Sequence, residues 1–155
     1  MPPLLISIML LAAWLGAATL VAVVVAPAAF AVLPTRTLAG TLVGRILPTI
    51  FWSGIIVGPA IVALTWSLPH RTGRSCGALL LAVSSAAAQL VIAPRIAAIR
   101  AEIGGVIDAV DPSDPRRQAF GRLHGLSVGW MGVAGLAALI TLILLFRLTV
   151  TRIPQ

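Results

Sequence analysis

The sequence predicts an all-α integral membrane protein: a four-helix bundle with proline-kinked helices and an amphipathic extension after the third. Three observations carry that prediction. The 155 residues are 59% hydrophobic and only 10% charged, too few polar groups to cover a water-facing surface. The mean hydropathy of +1.08 comes from apolar runs spread along the whole length, not from one anchor. With about 20 apolar residues needed per crossing, the runs allow four spans, over about 4–33, 46–69, 76–103 and 119–147. A single transmembrane domain, 1–155, is expected.

The first span carries no charge from Leu4 to Leu33. Thirty helical residues reach about 45 Å against a hydrocarbon core of about 30 Å, so this helix must tilt, kink or protrude. Pro27 offers a kink, because its ring clashes with the Val23 carbonyl and removes one hydrogen bond. Pro34 marks the expected end. The run is about twice the length of a secretory signal core and no basic residue precedes it, so a retained first helix is expected.

The second span runs from Ile46 to Leu68, with Pro48 in a first-turn position and Pro59 in mid-helix. Pro69 opens a short polar link, His70–Ser75, which makes the second and third helices antiparallel neighbours. The third span, Cys76 to Ala93, carries Ser84, Ser85 and Gln89 inside it. After Pro94 the character changes: residues 95–110 alternate apolar and charged positions at helical spacing, as an amphipathic extension leaving the membrane would. Gly104-Gly105 weakens that extension, and Asp-Pro-Ser-Asp-Pro at 111–115 ends it. The fourth span covers Phe120 to Phe146.

All eleven basic residues are arginine, which excludes any mechanism needing a lysine Schiff base. The net charge of +7 does not point to nucleic acid, because the arginines sit singly or in pairs between apolar spans and form no basic stripe interleaved with aromatics. Lipid headgroups are the better partner. Cys76 is the sole cysteine, so no intrachain disulfide and no cysteine-based zinc motif can be written. Four spans put Arg71, Arg74, Arg147 and Arg152 on one side and Arg36, Arg45, Arg95, Arg100, Arg116, Arg117 and Arg122 on the other. A plain count by the positive-inside rule places the seven-arginine side in the cytoplasm. If Arg36, Arg45, Arg95 and Arg100 are drawn into the bundle, the count becomes three against four.

Gly121, Gly125 and Gly129 recur every four residues and share one helical stripe; Gly40/Gly44 and Gly54/Gly58 repeat the spacing. Such stripes allow close backbone approach, here expected within the bundle in preference to a dimer interface. His124 enters the membrane edge beside that stripe, with Phe120, Ser127, Val128 and Met131 near its face. It serves either as a hydrogen-bonded link to a helix carbonyl or Gln89, or as a ligand or proton-relay group. In both readings it is expected to face protein, within reach of a polar group on the third span or on residues 34–47.

Arg95 follows Pro94 and can reach the Leu90 carbonyl that the proline leaves free. With Arg36, Arg45, Arg100 and Arg122 it can also form a basic vestibule for an anion or a lipid headgroup. Glu102, Asp108, Asp111 and Asp114 share that side, and ion pairing with them is the preferred expectation. Two histidines, one cysteine and three methionines supply no clustered metal set, and His70 lies in the loop opposite His124. No Ser-His-Asp spacing, phosphate loop or paired carboxylates at membrane depth can be named, so no enzyme, cofactor or metal is expected.

Two segments, VAPAAFAVLPTRTLAGTLVGRI at 25–46 and APRIAAIR…FGRLHGLS at 93–127, resemble the transmembrane protein 205-like family, also called domain of unknown function 4149. The resemblance lies in a proline-phenylalanine pair closing helix one, an alanine-glycine step before helix two, a proline-arginine after helix three, and a Leu-His followed by Ser opening helix four. It points to Pro27, Phe30, Gly40, Pro94, Arg95, His124 and Ser127, and implies a four-helix membrane fold without a settled activity. Where relatives are expected to carry a polar residue a turn beyond the serine, this chain has Gly129, Trp130 and Met131.

The expected function is that of a non-enzymatic, multi-pass protein of the cell or bacterial inner membrane. It binds or passes a small ligand or ion near one face, through Arg95, His124, Ser127 and Gln89. The alternatives are an accessory subunit packing its glycine faces against itself or a larger membrane complex, and a haem- or metal-linked oxidoreductase using His124.

Overall fold

The computed structural model describes residues 2–68 and 71–150, and within them the chain forms four long helices. These are α1 (Pro2–Val32), α2 (Arg36–Thr65), α3 (Arg71–Glu102) and α4 (Pro115–Val150). All four are long and apolar enough to cross a membrane, and the chain is a multi-pass membrane protein of the four-helix-bundle class. α2 packs on α3 and α3 on α4, while α1 touches α2 and α4 and completes the bundle.

Small residues are prominent where α3 and α4 are buried, beside large core side chains such as Leu11, Trp14, Phe51, Ile61, Leu81 and Leu145. Ala78, Ala82, Ser84, Ser85 and Ala88 on α3, and Ala134, Ala137 and Ala138 on α4, are buried, whereas Leu5, Met9, Ile56, Val83, Leu136 and Ile143 are exposed. In lipid, association depends on close van der Waals approach between helices, which small residues permit. At Gly58 α2 and α3 are in close contact: a Cβ there would lie 2.5 Å from the Ala78 carbonyl oxygen and 2.7 Å from Ala82 Cβ. Gly54 faces Ser85 with the same intimacy, and Gly77 of α3 meets Thr141 of α4. The Trp14 indole N–H donates to the Ile50 carbonyl at 3.0 Å and joins α1 to α2.

Pro27 and Pro94 each follow a π segment, Val21–Val25 and Ala87–Ile92. The Ala26 amide donates to the Val21 carbonyl and the Ala93 amide to the Ala88 carbonyl, so one residue is looped out just before each proline. The wider turn accommodates a ring that cannot donate to the carbonyl four residues back. Pro48 and Pro59 lie inside α2 without such a segment.

Several helix ends differ from the sequence reading. α2 begins at Arg36 instead of Ile46, because Thr35 is extended and its hydroxyl accepts the Leu38 amide at 3.2 Å, capping the helix early. Pro48 is therefore interior. α3 begins at Arg71 instead of Cys76: the arginines expected in a polar link form its first turn. The Arg71 guanidinium lies 4.8 Å from the Trp66 ring, and buried Arg74 donates to the Leu68 carbonyl at 3.2 Å, at the C-terminal end of α2. His70 and Arg152 lie outside the described residues. The amphipathic run extends α3 only to Glu102, since Gly104 and Gly105 take φ of 69° and 82° and turn the chain out of the helix. A short 3-10 turn, Ile107–Ala109, follows. α4 starts at Pro115, where Asp114 accepts the Arg116 amide at 2.8 Å as the helix cap.

Candidate ligand-binding cavity

Helices of 30 to 36 residues are about 45–54 Å long, so their ends stand beyond a hydrocarbon core of about 30 Å. At one end of the bundle the close of α1, the start of α2, the close of α3 and the start of α4 gather around a cavity of about 700 Å³. That volume falls within the roughly 300–1,000 Å³ usual for small-molecule sites. Gly40, Val43, Leu47 and Phe51 of α2 form one wall. Gln89, Ala93, Ile96 and Arg100 of α3 form another, spaced to share one helical stripe. Arg117, Phe120, His124 and Ser127 of α4 form the third, and Gly104 to Asp108 roof it.

Arg100 is the best-defined polar element. Its two terminal nitrogens lie over Gly40 and Gly44, where an added Cβ would be 3.6 and 3.8 Å from them, and Phe120 lies 5.7 Å away on the other side. The Nε is buried without a hydrogen-bond partner. Gln89 lines the cavity with its Oε1 buried and equally unmatched. Ser127 is buried and Arg36 exposed at the cavity's edge. The roof is held at two points: Asp108 accepts from the Thr37 amide and hydroxyl, and Arg117 donates to the Val110 carbonyl.

The carboxylates do not neutralise these arginines. Among the described residues the ion pair is Arg116 with Asp114, at 2.6 Å. The Arg116 hydrogen bond holds the Asp114 carboxyl down to about 2, and the Ser113 hydroxyl and amide lower that of Asp111. Both belong to the turn before α4, and Asp108 is committed to Thr37. The preferred expectation of internal pairing for Arg36 and Arg100 is thus corrected: three arginines line the cavity against one occupied carboxylate.

Of the candidates read from sequence, Gln89, Arg100, His124, Ser127 and Arg36 come together, while Arg45, Arg95 and Arg122 are exposed and do not line the cavity. The cause for Arg95 is rotational: five residues at about 100° each set it about 140° from Arg100. Phe30 and Gly40, read as packing residues, line the cavity. His124 departs from expectation in its environment. It is exposed, stacked at 6.3 Å on Phe120, and makes no hydrogen bond among the described residues, so it is not a link between helices. Gly121, Gly125 and Gly129 meet nothing within 4 Å, so the expected contact inside the bundle is absent there; Gly54, Gly58 and Gly77 make it instead. Two charged lining residues, Arg117 and Asp108, were placed on this side by the sequence but not among the candidate site residues. Arg117 was legible from the spacing 117, 120, 124, 127 on one helical face. Asp108 had no local signal, because its partner is 71 positions away. Among the described residues no three of His, Cys, Asp and Glu gather as a metal site.

The family model described as Domain of unknown function (DUF4149) matches the chain over residues 9–104. It takes in α1 from Met9 onward, α2 and α3 and ends at Gly104, so His124 and Ser127 fall outside it. No curated protein and no solved structure matches the chain.

Proposed function

The chain belongs to the DUF4149 family, and from that premise we propose that it is a non-enzymatic membrane protein that binds a small ligand in the cavity at the Arg36–Arg100 end of the bundle. One observation carries this reading: polar atoms left unmatched inside the protein, Arg100 Nε and Gln89 Oε1, border the same chamber. Buried polar groups are normally satisfied, and an unmatched pair bordering a ligand-sized space is explained by an occupant.

The test is native mass spectrometry of the protein from nanodiscs of phosphatidylcholine and phosphatidylglycerol. Wild type is expected to retain a discrete bound species that Ala93→Phe and Gly40→Leu, which fill the cavity, both lose. Equal adduct patterns in the three folded proteins would refute the reading.

A second reading, a subunit of a larger assembly, is favoured by the open glycine face of α4, where Gly121, Gly125 and Gly129 leave the backbone bare. Cross-linking in native membranes from a cysteine placed at Gly125, in a Cys76→Ser background, tests it. A product larger than the single chain supports the assembly, and its absence counts against it.

A further inference from the structure

We infer that the occupant is an anionic amphiphile, its phosphate or carboxylate headgroup held at the mouth by Arg100 and Arg36 and its apolar chain running down the α2 wall. This inference rests on the cavity being a binding site, as proposed above.

Arg100 carries five N–H donors in a fixed plane, and among the described residues none has an acceptor. Its terminal nitrogens lie against the glycines of α2: a Cβ on Gly40 or Gly44 would already touch the guanidinium, so a side chain larger than alanine would displace it, and the Phe120 ring lies 5.7 Å from its centre. A cation fixed near the membrane edge, with its Nε buried, costs free energy unless an anion meets it. Among the described residues no carboxylate does: Asp108, the acidic residue lining the cavity, is held by Thr37. Arg36 likewise has no partner among the described residues and borders the same space. A planar guanidinium is suited to the paired oxygens of phosphate or carboxylate.

The remainder of the cavity is mostly apolar. Below Arg100, Val43, Leu47 and Phe51 of α2 face Ala93 and Ile96 of α3, with Gln89 and Ser127 as the uncharged polar groups of that lining. From Gly40 to Phe51 is about 16 Å along the helix axis. Charge at the mouth and hydrocarbon beneath repeat the order of a lipid leaflet, so the matching molecule carries an anion and a chain together. A free inorganic anion would leave the apolar wall empty; a neutral amphiphile would leave Arg100 unmet.

Purified protein in phosphatidylcholine nanodiscs, titrated with dodecyl phosphate, dodecanol or inorganic phosphate and read by native mass spectrometry, tests the inference. Dodecyl phosphate is expected to bind one per chain. Arg100→Gln and Arg36→Gln should each weaken it at least tenfold, as should 0.5 M NaCl, while Ala93→Phe abolishes it. Arg36 is exposed at the mouth, so its variant keeps the test decisive should Arg100→Gln fail to fold. Equal binding of dodecanol, unchanged in both arginine variants, would overturn the anionic class and leave the cavity reading standing. Inorganic phosphate binding as tightly as the alkyl ester would overturn the amphiphile. Failure of both alkyl probes, with wild type and Ala93→Phe alike, would sink the cavity reading with it.

Discussion

The Asp108 carboxylate accepts both the amide and the hydroxyl of Thr37, at 3.0 and 2.9 Å, across 71 positions of sequence. Thr37 is in the first turn of α2, whose leading amides lack partners in the helix, and a carboxylate there also complements the helix dipole. The contact clips the roof of the cavity to the start of α2. Asp108→Ala is therefore expected to raise amide hydrogen exchange across residues 103–110 at least several-fold, with α1 and α4 unchanged. Exchange read by mass spectrometry checks this, and an unchanged roof would mean that packing of Ile107 holds it instead.

The glycines separate into two classes with opposite expected responses. At Gly58 a methyl group would meet a backbone carbonyl at 2.5 Å, an obstacle that cannot rotate away. Gly58→Ala should lose about 1–3 kcal/mol of bundle stability, the usual cost of overpacking. Gly125 has nothing within 4 Å, so Gly125→Ala should be neutral within about 0.5 kcal/mol or slightly stabilising, as alanine favours helix over glycine. Reversible unfolding in mixed micelles measures both.

Acid should act on the turn before α4 over a defined window. The Asp114 carboxyl is lowered from 3.8 to about 2 by its hydrogen bonds to Arg116. A depressed carboxyl stabilises the native state above its unfolded value and loses that contribution as pH falls through the folded one. Protection of the Arg116 amide is thus expected to hold from neutral pH to about 4 and to disappear between about 4 and 2. In Asp114→Asn this pH dependence should be absent.

His124→Leu should leave bundle stability within about 0.5 kcal/mol of wild type, since an exposed imidazole without a hydrogen bond contributes little. A loss near the 1–2 kcal/mol of an interhelical hydrogen bond would show that it holds two helices together after all. The same unfolding assay reads this outcome.

Much of this protein was legible in one dimension. Span number and class follow from local sums of hydropathy, and the roles of Asp111–Pro115 and Gly104-Gly105 from turn chemistry that acts within a few residues. The grouping of Gln89, His124, Ser127, Arg36 and Arg100 was also accessible, because four antiparallel spans bring those positions to one end. Helix starts were less so. A capping threonine at 35 and arginines that bind the end of a neighbouring helix read, in a hydropathy profile, as loop.

Tertiary structure alone decided which faces meet. A glycine every fourth residue marks a smooth helix face but does not say what lies opposite, so Gly54 and Gly58 are sealed by α3 while Gly121, Gly125 and Gly129 are left open. The π segments before Pro27 and Pro94 add a residue to a turn and so shift every later side chain around its helix. A strict 3.6-residue period cannot then assign Arg95 outward and Arg100 inward without the neighbours in place. Composition set what this chain dissolves in; the contact of one helix with the next set which of its arginines is held, unpaired, over a cavity.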